Sequence, residues 1–205
     1  MHQNARQPLG AGFAVDSFIA PRALIGDFLS HDRAAELASI QVNVQALVGL
    51  SHALGAKMVS QGMGGIINLA SNAAFQPLPY MATYAAAKAF VLHFSEALKI
   101  ELKRRNVQVM AVCPGPTETS SSERVSTKMK GVAFDRAEMV VGRTLRSFDQ
   151  KKSVAYPGPF SVRVATWLHR LLPPASWSAL PRRRRARWVW PRRDWPDRKH
   201  DNLPA

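Results

Sequence analysis

The sequence predicts an α/β fold, a parallel sheet with helices on its faces, and three observations carry that prediction. Long stretches with apolar residues every three or four positions alternate with short, continuous apolar runs. The short runs end in loops rich in Pro, Gly, Ser and Asn. Finally, helix, strand, helix, strand in sequence requires crossover connections, and crossovers join parallel strands. At 205 residues, with 46% hydrophobic and 20% charged residues, the chain has the composition of one well-buried domain.

Taken in order, Met1–Ser17 shows little periodicity beyond a small glycine turn, Leu9-Gly10-Ala11-Gly12, that leads into apolar residues from Phe13. From about Ala34 to Gln61 the apolar positions Leu37, Ile40, Val44, Leu47, Val48 and Leu54 follow a helical period, which predicts a long amphipathic helix stopped by Gly62-Met63-Gly64-Gly65. Gly65–Ser71 is a short apolar run of the kind that forms a buried parallel strand. Pro77 and Pro79 mark the loop 72–79, and an Ala- and Leu-rich helix follows over about Tyr80–Arg105, closed by Lys103, Arg104 and Arg105. Val107–Cys113 predicts a second strand, broken by Pro114-Gly115-Pro116. Arg136–Phe148 reads as a helix and Ser153–Tyr156 as a short edge strand. Phe160, Val164, Trp167, Leu168 and Leu171 share one helical face that ends at Pro173-Pro174. The expected organisation is a body over 1–160, an amphipathic C-terminal helix over 161–176 and a basic, disordered tail over 177–205.

Charge is unevenly spread. Of the formal net charge of +14, +8 lies in residues 160–205, which hold eleven Lys or Arg against three Asp and all five tryptophans. The run Arg182–Arg185 beside Trp188 and Trp190 reads as a solvated tail, with contact to a membrane surface or a nucleic acid as the sharper reading. The 161–176 helix reads as packing beside a substrate site, with membrane contact as its alternative. No uninterrupted apolar stretch approaches the ~20 residues of a spanning helix, and the expected address is cytoplasmic. Cys113 stands alone, which excludes an internal disulfide, and reads as a buried strand-end thiol. His52 and His93 read as helix-surface or packing residues; with His2, His31, His169 and His200 they make no metal-binding spacing, so no metal is expected.

The chemistry centres on Tyr84-Ala85-Ala86-Ala87-Lys88. Four residues apart on a helix, a phenol and an ammonium lie one above the other, and a nearby cation is expected to favour the phenolate and lower the tyrosine's pKa. Such a tyrosine exchanges a proton with a substrate oxygen. Taken alone, the spacing is frequent by chance and reads as surface or packing. Ser71, thirteen positions earlier, falls at the carboxyl end of the first confident strand, where open α/β sheets place ligands. Asn43 is a polar residue in an apolar helical setting, and Cys113-Pro114-Gly115-Pro116-Thr117-Glu118-Thr119 forms a loop at the same carboxyl edge.

These four features, in this order over Asn43–Thr119, resemble the short-chain dehydrogenase/reductase family in its classical form. The resemblance implies a Rossmann-like, doubly wound sheet and hydride transfer between NAD or NADP and a small-molecule carbonyl or alcohol. By the same resemblance Tyr84 is the proton donor or acceptor, Lys88 lowers its pKa and bonds the nicotinamide ribose, Ser71 holds the substrate carbonyl, and Asn43 supports a proton-relay water. Pro114, Gly115 and Thr119 match the loop bordering the nicotinamide, and Ala11-Gly12 matches part of a cofactor-side segment. The wording of Ala73–Tyr84, followed by Ala89-Phe90-Val91, looks most like bacterial carbonyl or 3-oxoacyl reductases. The resemblance also implies homodimer pairing through the 34–61 and 80–105 helices. The chain departs from the pattern at its start, because no glycine-rich turn follows a strand before residue 40, where only Gly10, Gly12 and Gly26 occur. The expected fold is therefore a partial, N-terminally truncated Rossmann-like sheet with an exposed apolar edge. An alternative reading is a catalytically inactive fragment acting at most as an interaction module.

Overall fold

Four parallel strands in the spatial order β1-β2-β3-β4 form the sheet of the computed structural model, which describes residues 13–16, 23–118 and 134–158. The strands are β1 (Phe13–Asp16), β2 (Gly64–Leu69), β3 (Val107–Val112) and β4 (Val154–Ala155). Between β1 and β2 runs one continuous helix, Arg33–Ser60, made of α1 (Arg33–Ile40), a π-helical stretch (Gln41–Ala46) and α2 (Leu47–Ser60). Helix α3 (Ala82–Lys103) connects β2 to β3, and α4 (Ala137–Asp149) precedes β4. The parallel α/β prediction holds. β1 is the element that the residue pattern left unassigned: four residues are too few for a period to show, and its partner is β2, paired Phe13 to Gly65 through Asp16 to Asn68. The 161–176 helix, the 177–205 tail, Gly12 and Thr119 lie outside the described residues.

The two central strands alternate their faces, so the sheet is covered on both sides. Ile66, Val107 and Val109 pack with Met58, Leu54, Leu98 and Leu102 on the side of α2 and α3. On the opposite side Ile67, Met110 and Val112 pack with Phe148 of α4 and Ala155 of β4. A third cluster, Leu47, Ala70, Ala74, Val91, Leu92, Ala111 and Cys113, fills the carboxyl end of the sheet beneath α3. Cys113 is buried there and takes part in no disulfide.

The long helix corrects the predicted apolar stripe. Its inward row is mostly small or polar, with Glu36, Ser39, Asn43, Leu47, Ser51, Gly55 and Met58 buried, while Leu37, Ile40 and Val48 of the expected core face point to solvent. Leu37 is 53% exposed, so periodicity found the helix, its buried Leu47 and Leu54, which packs on the core, but placed Leu37, Ile40 and Val48 on the wrong side. At Gly55 the inward row lies beside Leu102 of α3 and Ile66 of β2, at distances that would give an added Cβ ordinary van der Waals contact. The helix is also long and apolar enough, by length and composition alone, to cross a membrane, with a mean hydropathy of 1.2 over its best window. Here it forms a layer of the fold.

Candidate active site

β2 ends at Leu69, and the chain then turns through a short 3₁₀ stretch, Asn72–Phe75, capped by Ser71. The Ser71 hydroxyl accepts the Ala73 N–H at 3.1 Å, as an N-cap does, and is thereby held at the carboxyl edge of the sheet. The ladder continues past the strands: Ala70 N–H donates to Val112 O, Asn72 N–H to Pro114 O, and Cys113 N–H to Ala155 O. Two loops, one after β2 and one after β3, are thus fastened along one rim.

Helix α3 starts just beyond a strained turn at Tyr80 (φ 69°), whose carbonyl accepts the Gly26 N–H. Its first turns carry Tyr84 and Lys88. The Ser71 hydroxyl lies near enough to the Tyr84 phenol to favour its ionised form, and Lys88 Nζ sits 5.9 Å from the Tyr84 ring centroid. Lys88 is buried, 3% exposed, and donates to the Leu69 carbonyl at 2.7 Å. Ser71, Tyr84 and Lys88 therefore share one small volume at the end of β2. This is where a carbonyl oxygen reaching Tyr84 also reaches a second hydroxyl.

The electrostatics differ from the sequence expectation. Burial pushes the Tyr84 phenol above its usual range, and only the nearby Ser71 hydroxyl works in the other direction. Lys88 does not set the phenol's direction here. Burial lowers the lysine itself to about 8, against an opposing pull from nearby Cys113. The reason is geometric: the ammonium is turned to a main-chain carbonyl, and the phenol lies near a hydroxyl. At neutral pH the resting site holds a protonated phenol beside a desolvated ammonium.

Asn43 is buried at 6% exposure within the π-helical stretch, donating to the Ser39 carbonyl at 2.9 Å. A π-helical turn widens the helix and re-aims its side chains, and such turns recur at functional sites. α3 packs against this stretch, yet no direct bond joins Asn43 to Tyr84 or Lys88. Pro114 and Gly115 border the rim, with Asp135 Oδ2 and Asn72 Nδ2 the atoms nearest to a Cβ built on Gly115, at 3.8 and 3.9 Å. Asp135 closes the loop by a parallel bridge to Thr117. Sequence reasoning passed over two residues of this rim, Asn72 and Asp135. An asparagine directly after the strand-end serine was the available signal for the first, whereas nothing local marks Asp135.

Comparison with known proteins gives the same picture. The family profile described as short chain dehydrogenase matches residues 15–130, more than half of the chain. The uncharacterized oxidoreductase YvrD of Bacillus subtilis is 38% identical over 93 residues, covering 45% of this chain and 34% of that protein. The 3-oxoacyl-acyl-carrier-protein reductase FabG of Thermotoga maritima is 32% identical over 99 residues, covering 48% of this chain and 40% of that protein. This chain spans less than half the length of either relative. Among solved structures, a short-chain dehydrogenase from Sphingobium yanoikuyae in complex with NADPH superposes with a TM-score of 0.69 at 26% identity, over 86% of this chain and 68% of that one. With a doubly covered parallel sheet, its strand-end rim and a profile matched across both, this chain belongs to the short chain dehydrogenase family.

Proposed function

We propose that this site serves hydride transfer between NAD or NADP and a small-molecule carbonyl or alcohol, with Tyr84 exchanging the proton. The observation that supports this most is the convergence of Ser71, Tyr84 and Lys88 at the carboxyl end of β2. In the reducing direction, a carbonyl oxygen gains negative charge as it is reduced. Ser71 and Tyr84 donate hydrogen bonds to that oxygen, and the phenol then releases its proton to it. Lys88 stabilises the phenolate left behind. In the oxidising direction the same groups act in reverse. Asn43 is assigned the support of a water through which the tyrosine's proton exchanges with solvent.

The donor set suits the nicotinamide half of the cofactor. Lys88 uses one of its three protons on Leu69 O, leaving two for the ribose hydroxyls. Gly115 leaves room at the rim, where a Cβ would meet nothing closer than 3.8 Å. Lys88 and Tyr84 would hold the ribose, and Pro114, Gly115, Thr119 and Gly12 would border the cofactor. When bound, the nicotinamide supplies or takes the hydride.

A second reading, pairing rather than catalysis, draws on the outward apolar row Leu37, Ile40 and Val48 together with Phe90 of α3. These positions fit a homodimer formed through the long helix and α3, and the site and the pairing face are compatible with each other.

A titration with NADPH and NADH, followed by nicotinamide fluorescence and then by turnover of simple ketones, tests the catalytic reading. Tyr84→Phe is expected to lower turnover by roughly 10²–10⁴-fold while weakening cofactor binding far less than it weakens turnover. Lys88→Ala is expected to weaken both. Wild-type protein that neither binds a dinucleotide nor turns over a carbonyl sinks this reading and leaves the pairing one.

A further inference from the structure

Ahead of α1, residues 26–31 include one turn of 3₁₀ helix, Phe28–Ser30, that buries no residue: Phe28 is 55% and Leu29 81% exposed. The N–H groups of Leu29, Ser30 and His31 and the Ser30 hydroxyl all bond within the stretch itself. Among the described residues, two hydrogen bonds fasten it to the rest of the fold. At one end the Gly26 N–H donates to Tyr80 O at 3.0 Å, and at the other His31 Nδ1 meets Glu36 Oε1 at 2.8 Å, with both side chains mostly buried. These ties share one ring. Gly26 has φ 153°, and a Cβ there would come within 2.9 Å of His31 Nε2, so the imidazole touches the Gly26 backbone on one side and Glu36 on the other. The pair is also incompletely satisfied: Glu36 Oε2 is buried with no hydrogen-bond partner among the described residues, which opening to water would relieve. α1 packs against α3, and the Tyr80 turn held by Gly26 lies just before α3, four residues ahead of Tyr84.

We propose that residues 26–31 form a strap that opens as one unit when His31 leaves Glu36, and that its opening loosens the Tyr80 turn and shifts Tyr84. Closed, the strap holds the Tyr80 carbonyl through the Gly26 N–H and pins a backbone at φ 69°. Open, it wets Glu36, releases that carbonyl and frees the first turn of α3. A segment with so little buried surface opens locally while the sheet stays intact. The strap makes the setting of Tyr84 depend on a contact made at the start of the long helix. This device goes beyond the proposed chemistry and needs no cofactor to operate.

The test combines amide hydrogen exchange with ¹⁹F NMR of the full chain carrying fluorinated tyrosine at Tyr80, Tyr84 and Tyr156. His31→Ala is expected to lower the protection of the residue-26 amide by about tenfold, the loss that one good hydrogen bond brings. In the same variant the Tyr84 signal is expected to shift while that of Tyr156 stays, and the amides of Val109 and Met110 in β3 keep their protection. Gly26→Ala, whose Cβ displaces the imidazole, is expected to do the same, and the double variant to be no worse than either single one. Leu29→Ser, at an exposed position outside both ties, is expected to change none of these readings. The proposal is overturned by a residue-26 amide that is unprotected in the wild type or keeps its protection in His31→Ala. A Tyr84 signal that stays put when that protection falls overturns it too, as do an equal loss at Val109 and Met110 and additive effects in the double variant. Turnover plays no part in these measurements, so a chain that reduces no carbonyl refutes the proposed function and still answers this question.

Discussion

Lys88 shows how a site residue works against the stability of its own fold. A lysine lowered to about 8 by burial is less willing to be charged in the folded chain than in the unfolded one, where it titrates near 10.5. Below about pH 8 both states hold the proton, and the unfavourable burial stands in full. Between about 8 and 10.5 only the unfolded chain holds it, so stability rises with pH across that window. The full effect is roughly 3 kcal/mol. Tyr84 acts oppositely: its phenol, raised above 10 by burial, keeps its proton in the fold while the unfolded chain loses it, so stability falls as pH climbs beyond 10. Lys88→Met is expected to gain roughly 1–3 kcal/mol at pH 7 in urea denaturation and to flatten the rise between pH 8 and 10. An unchanged pH profile in this variant would place the titration elsewhere. The pair's spacing was legible in the sequence, but the direction of its pKa was not, because Tyr-x-x-x-Lys says nothing about how much water the fold leaves around it.

At the scale of elements, glycines that look alike in the sequence behave differently. Gly64 opens β2 against Met58, and a Cβ there would come within 2.4–2.6 Å of the Met58 side chain, its own Cβ included. Gly64→Ala is expected to destabilise by roughly 1–3 kcal/mol. Gly49 lies on the outer side of α2 with nothing within 4 Å, and Gly49→Ala is expected to stabilise by roughly 0.5–1 kcal/mol. Thermal or urea melts of the two variants check both signs. Another buried tie joins β2 to α3: Asn68 Nδ2 donates to Ser95 Oγ at 2.9 Å, and Ser95 donates to the Val91 carbonyl. Since Asn68 Oδ1 already has no partner among the described residues, Ser95→Ala is expected to cost roughly 1–3 kcal/mol. The strands β2 and β3 were readable as short, predominantly apolar runs, interrupted only by Asn68 and Gln108, since burial on both faces leaves little alternation to find. β4 was read within 153–156, whereas β1 was left unassigned because four residues are too few to show a pattern.

Over the whole molecule, the most informative departure is the long helix, which mixes small and polar residues with Leu47 and Met58 on its buried side and leaves Leu37, Ile40 and Val48 facing outward. If that face pairs two copies, Val48→Lys is expected to shift sedimentation velocity towards the monomer while changing the melting behaviour of the monomer by no more than ~0.5 kcal/mol. An unchanged sedimentation profile would remove the pairing reading. By itself the sequence determined the α/β class and the order of the elements from the long helix to β4, and it singled out Ser71, Tyr84 and Lys88 as candidates, because periodicity, Pro and Gly punctuation and residue spacing are local properties. Only the tertiary structure decided which residues of the long helix are buried, that Phe13–Asp16 joins the sheet and which way burial moves Tyr84. Each of these depends on what packs against a residue from a distant part of the chain, and desolvation and strand pairing exist only once that neighbour is in place.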